Sequence, residues 1–194
     1  MMFGLLLAAA VTAAPSADPC AYDRDKVMSL DQKAFDQDLK GGWRVLESNP
    51  LCYVAAADLI RNYREAHHSK STILFWHEGQ MRASAGQTAA AILLFEQSRQ
   101  TRDPIGWNFY VDGTIAFLRH DRAALQAARD KLAALPKPAD FHPVGPDGKP
   151  FKIDWPPNLN ILDGFLTCFN RSYEKAYGTR ECAKPLAAVQ TPDR

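Results

Sequence analysis

The chain has no excess of charge of either sign: among 194 residues, 23 Lys and Arg stand against 22 Asp and Glu, a formal net charge of +1. No global field exists to draw in a nucleic acid or an anionic membrane, so neither is expected as a partner. After the first residues, no apolar run approaches the ~20 residues of a membrane span. The motifs of common catalysts are missing as well. There is no G-x-S-x-G elbow, no P-loop and no dinucleotide glycine pattern, which removes the usual signatures of serine hydrolysis and nucleotide binding. The string His77-Glu78-Gly79-Gln80-Met81 lacks the second histidine, one turn on, that completes a zinc helix, and no two cysteines are spaced as C-x-x-C. No metal and no cofactor is expected.

What is present is an ordinary globular composition, 46% hydrophobic and 23% charged, enough for one core and one domain. Residues 1–17, MMFGLLLAAAVTAAPSA, carry no charge and hold a short apolar run before small residues at Ala13, Ala14 and Ala17. That pattern reads as a signal peptide without its basic leader, and predicts a periplasmic or extracellular protein. Export gives the four cysteines a meaning, because thiols in an oxidising compartment pair. Cys168 and Cys182 flank one helical stretch, and Cys20 and Cys52 share the N-terminal third, so two local disulfides are predicted over the competing reading of four buried thiols.

Along the chain, Ser29 is read as the N-cap of a helix over 30–40 with Leu30, Ala34 and Leu39 on one face, stopped by Gly41 and Gly42. A short helix from Trp43 breaks at Asn49-Pro50. Residues 54–64 place Ala56, Leu59, Ile60 and Tyr63 at helical spacing on one face. Residues 73–98 read as two helices joined at Gly86. Between 136 and 157 lie seven prolines, which exclude a helix; Phe141, Phe151, Ile153 and Trp155 would serve this strap as apolar feet. A last helix follows Asn158 or Asn160, interrupted near Asn170 and ended at Gly178, and 183–194 is read as a disordered tail. The single domain is therefore 18–182.

Self-comparison at a 34-residue shift aligns Gly79 with Gly113, Phe75 with Phe109, Trp76 with Tyr110, Glu78 with Asp112 and Ala89 with Ala123. In this register the chain resembles the tetratricopeptide (TPR) family over 42–135. Gly79 stands at the first-helix glycine, Gly86 at the turn, Ala91 at the small position of the second helix and Phe95 at the large aromatic one, with Pro104 ending the unit. The resemblance implies antiparallel helical hairpins stacked as a short solenoid, here closed by the strap and the C-terminal helix. The chain departs from the pattern at Glu78 and Asp112, where the family has a buried leucine, and at His120, where it has the turn glycine.

The fold class expected is thus all-α and TPR-like, and the function expected is non-enzymatic binding of a protein or peptide. In the family, first helices line a concave face; the positions that point there correspond to Trp76, Gln80 and Ala83, then Trp107, Tyr110, Thr114 and Phe117. That face would make an apolar groove with aromatic anchors, unless the strap and last helix fill it through Trp155, Leu162, Phe165 or Phe169. The alternative is an enzyme or metal-binding protein using Glu78 and Asp112, two stacked carboxylates able to share a proton or hold a metal, with nearby histidines among His67, His68, His77, His120 and His142. An ion pair from Glu78 to Arg82 at i+4 would account for Glu78 without any such role.

Overall fold

The computed structural model of the protein describes residues 18–145, 148–150 and 152–183. Residues 1–17, expected from the sequence to be a signal peptide, residues 146, 147 and 151 of the strap and the tail beyond residue 183 lie outside them. The described residues form ten α-helices and no strand, so the protein is all-α. The chain opens with three short helices, α1 (Arg24–Met28), α2 (Gln32–Asp36) and α3 (Arg44–Glu47), and a 3-10 turn at Pro50–Cys52 leads into α4 (Tyr53–Ala66). Two helical hairpins follow, α5 (Thr72–Ser84) with α6 (Thr88–Gln97) and α7 (Trp107–Leu118) with α8 (Arg122–Ala133). After the strap come α9 (Leu159–Thr167) and α10 (Tyr173–Ala176).

Local chemistry explains most boundaries. Asp23, Asp31 and Asp121 each accept a backbone N–H at the start of α1, α2 and α8, and the two carboxylate oxygens of Asp103 take the N–H groups of Trp107 and Asn108 at 2.6 and 2.7 Å. These side chains satisfy donors that no helical carbonyl reaches. The turns of the two hairpins are equivalent: Gly86 has φ +75° and His120 has φ +54°. A left-handed backbone suits glycine and is uncommon for histidine, so the departure at His120 keeps the turn at some cost in strain.

The N-terminal expectation needs correction. Ser29 does not cap a helix over 30–40; it closes α1, and Asp31 caps α2, which ends at Asp36. Ser and Asp are comparable caps, but the chain turns through Gly42, φ +54°, with the Trp43 N–H returning to the Phe35 carbonyl, and this arrangement buries Phe35 and Trp43. Leu39 therefore points away from the core and is 79% exposed.

Packing joins α4 to α5, α7 to α9, α8 to α9, and α10 to α5. The buried apolar side chains fall into two clusters. Phe35, Trp43, Cys52, Leu59, Ile60 and Tyr63 build the N-terminal one, and Phe95, Tyr110, Leu125, Leu132, Leu162 and Phe165 belong to the other. Helix α5 belongs to both, giving Leu74 and Met81 to the first and Trp76 and Ala83 to the second. Disulfides sit at the two ends, Cys20–Cys52 and Cys168–Cys182, the pairs expected from the sequence. Closing the loop between Cys168 and Cys182, a separation of 14 residues, stabilises by about 3 kcal/mol in the chain-entropy account.

Among its described residues the strap holds no helix. Phe141 and Trp155 pack edge to face at 4.7 Å, and the Trp155 indole N–H donates to the Leu135 carbonyl at the end of α8. These two are real feet, whereas Ile153 is 38% exposed.

Candidate functional site

Helix α5 is enclosed, with nine of its residues buried, and four of those are polar: His77, Glu78, Gln80 and Arg82. Buried ionic groups need partners, and the structure supplies them from other elements. Glu78 is held by Arg64 of α4 through both Nε, at 3.0 Å, and a terminal guanidinium nitrogen; Arg82 stands 3.8 Å away. The Arg64 guanidinium also lies over the Phe75 ring at 4.0 Å. Arg82 itself serves Asp58 at 2.6 Å and Gln87 at 2.9 Å. Burial pushes the Glu78 carboxyl above its ordinary value of 4.5, against the opposing pull of Arg64, Arg82 and Arg61. The i+4 pair is therefore the minor contact.

Asp112, the other acid of the repeat register, faces Arg99 at 2.7 Å with its side chain 44% exposed. Glu78 and Asp112 share no partner, and each is neutralised by its own arginine. No group of three His, Cys, Asp or Glu among the described residues is placed to hold a metal ion.

A second buried polar unit joins α5 to the N-terminal helices. Asp36, 1% exposed, accepts from His77 Nδ1 at 2.6 Å and from the Trp43 indole N–H at 2.9 Å, and Gln37 bonds its second oxygen. Burial raises the Asp36 pKa, but the hydrogen bond and charge of His77, with Trp43 and Gln37, bring it below its ordinary 3.8. The sign follows from linkage: a folded pKa below the unfolded one stabilises the native state above about pH 4 and loses that contribution as pH falls toward the folded value. Asp36→Asn should accordingly unfold with a shallower acid limb than the parent, measured by urea midpoint against pH below 5; parallel curves would deny Asp36 this role.

His77 and Gln80 reach the wall of a polar cavity of about 250 Å³ between α3, α5 and α10, which Arg44, Glu47, Tyr53, Ser84, Glu174 and Tyr177 also line. A second, more apolar cavity of about 460 Å³ lies at the N-terminal end, lined by Tyr22, Val27, Leu30, Ala34 and Val45 among others.

The seven residues expected on an open concave face are placed differently, Ala83 among them at 4% exposure. Trp76 and Tyr110 are each 2% exposed, Phe117 2%, Thr114 0% and Gln80 8%. Trp76 sits among Phe95, Trp107 and Tyr110 at 4.5 to 4.8 Å, and Phe117 stacks on Phe165 of α9 at 4.4 Å. Thr114 bonds back to the Tyr110 carbonyl, and half-buried Trp107 donates to the Ser98 carbonyl. No open groove runs along these side chains, because the chain's own α9 and α10 occupy it. Two phenols inside, Tyr110 and Tyr173, have hydroxyls without a partner in hydrogen-bonding geometry among the described residues, and burial lifts both well above the usual tyrosine pKa.

Sequence reasoning missed Asp36, Arg64 and the polar cavity. His77 and Asp36 are 41 residues apart and Arg64 and Glu78 are 14 apart, so no local spacing announces either pair. A signal did exist in α5, where the polar residues His77, Glu78, Gln80 and Arg82 interrupt the apolar ones instead of keeping to one narrow face. No family model, curated protein or solved structure matches the chain.

Proposed function

We propose that the protein is a non-enzymatic scaffold that binds a protein or peptide partner after export to the periplasm or the cell exterior. The two disulfides and the lack of any helix among the described residues long and apolar enough to cross a membrane are compatible with that setting. The paired hairpins, with Gly79 and Gly113 each in tight contact at equivalent positions, support a TPR-like reading of 42–135. The partner surface is not the concave face, which is filled. It lies at the N-terminal end, and one observation carries this. Of the large hydrophobic side chains exposed among the described residues, Leu39, Val45, Leu51 and Val54 fall within a single short stretch, and Val45 borders the 460 Å³ apolar cavity. Exposed apolar surface beside a ready cavity is the chemistry of a peptide-docking site. The occupant is an extended segment carrying one bulky apolar side chain, since the cavity is mostly apolar and its rim charges, Asp23, Asp38, Lys26 and Lys40, cancel.

Random peptides displayed on phage and selected on the immobilised protein test this. Enriched sequences should share an apolar anchor, and synthetic copies should lose roughly tenfold or more in affinity for Val45→Asp. The absence of a shared anchor, or equal binding by Val45→Asp, overturns the assignment. The enzymatic or metal-binding alternative on Glu78, Asp112 and the histidines has less support, because each carboxylate is already held by its own arginine.

A further inference from the structure

The polar cavity between α3, α5 and α10 has a composition that the docking surface does not explain. Two of its polar residues are buried, Gln80 at 8% exposure and His77 with its side chain at 11%, and both line the space. Buried polar groups are hydrogen-bonded as a rule, to protein or to what occupies the space beside them. His77 donates through Nδ1 to Asp36, which fixes the orientation of its ring at the cavity wall. The Gln80 amide N–H lies against the buried Tyr173 hydroxyl, and its carbonyl remains open as an acceptor.

The rim is richer in acceptors than in donors. Glu47 and Glu174 come to it from α3 and α10, with the hydroxyls of Tyr53 and Tyr177 and Ser84. The basic side chains of the lining are committed: His77 to Asp36, and Arg44 through Nε to the Asp36 carbonyl at 3.1 Å and a terminal nitrogen to Glu47 at 3.0 Å. Lys175 lies outside the lining, 66% exposed, and contacts one Glu174 oxygen at 3.1 Å. Each carboxylate therefore keeps an oxygen unengaged. The Tyr53 phenol is pushed up first by burial and then by Glu174, with Lys175 opposing and Glu47 reinforcing, which places both acids within electrostatic reach of one point on the rim.

We propose that this cavity binds a small organic cation, an alkylammonium or guanidinium group, held between Glu47 and Glu174 with the Gln80 carbonyl as an acceptor at its base. Its N–H donors match the acceptor excess, and the rings of Tyr53 and Tyr177 supply faces for cation–π contact. At about 250 Å³ the space is below the ~300–1,000 Å³ of sites that enclose a drug-sized molecule. It suits a small amine or the end of one side chain.

The full disulfide-bonded protein, titrated by calorimetry with agmatine and with the capped tripeptide Ala-Arg-Ala, tests the proposal; the tripeptide with citrulline in place of arginine is the neutral control. Saturable binding of a cationic probe and none of the citrulline peptide is expected. Agmatine alone would identify a free small amine as the ligand, and binding of both would identify a partner's side-chain end. Glu174→Gln should weaken binding roughly tenfold or more at an unchanged melting temperature, and Glu47→Gln, which also releases Arg44, should do the same. The proposal is overturned if neither cation saturates below about 10 mM, if citrulline binds as well as arginine, or if folded Glu174→Gln binds like the parent.

Discussion

Gly79→Trp is expected to give no folded protein, and even Gly79→Ala should lower stability by about 1–3 kcal/mol. A Cβ at this position would stand 2.7 and 2.8 Å from two ring carbons of Phe95, closer than carbon atoms approach. Phe95 cannot retreat: it is 0% exposed, with Trp76 at 4.5 Å on one side and Tyr173 at 6.3 Å on another. The gain in helix propensity from glycine to alanine, about 1 kcal/mol, is smaller than the overpacking it causes. For a chain of this size the alanine variant should melt several degrees lower, at roughly 2–4 °C per kcal/mol. A melting temperature equal to the parent's would refute the close approach of α5 and α6. Gly113 meets the same limit against Leu162 of α9, at 2.6 Å, although a leucine branch yields more readily than a ring held on two sides.

Arg64→Ala carries the second large effect, about 3–5 kcal/mol, because it strands a charge in the interior. The Glu78 side chain is 3% exposed and the Arg64 side chain 13%, so solvent cannot substitute for the missing guanidinium. Pairing Arg64→Ala with Glu78→Gln should recover much of the loss, since the stranded charge disappears with its partner. The pH dependence has a definite sign. Glu78 binds its proton more tightly folded than unfolded, so the stability linked to it is greatest below about pH 4.5 and falls as pH rises through the folded pKa. Without Arg64 that fall steepens, and the variant should lose less stability in acidic than in neutral buffer. Urea midpoints of the parent, the single variants and the double variant at two pH values decide the matter; a loss independent of pH would mean that packing on Phe75, not charge, is what Arg64 provides.

The sequence made the helical architecture readable where apolar residues recur at helical spacing. Ala56, Leu59, Ile60 and Tyr63 are buried on one side of α4 as expected, and residues 73–98 form the two helices that Gly86 separates. Both cysteine pairs were legible because each is local to one end of the chain. The N-terminal boundary was misread because Asp31 and Ser29 are both competent caps, and only the position of Phe35 and Trp43 in the core decides between them. The candidate sites were less readable for a different reason. A family register assigns Trp76, Tyr110 and Phe117 to a concave face, but whether that face is open depends on Phe165 and Tyr173, which follow after a long irregular strap. The partners of the charges in α5 come from α2 and α4, and side-chain pairing between distant helices leaves no periodic trace.

The double membership of α5 has a consequence for how the molecule comes apart. With Leu74 and Met81 in one apolar cluster and Trp76 and Ala83 in the other, neither half can melt while the other keeps its helix intact. Heat should therefore produce a single cooperative transition rather than two. The backbone amides of α5 should exchange with deuterium only through whole-molecule opening, while those of α1 and α3, short and near solvent, exchange through fraying.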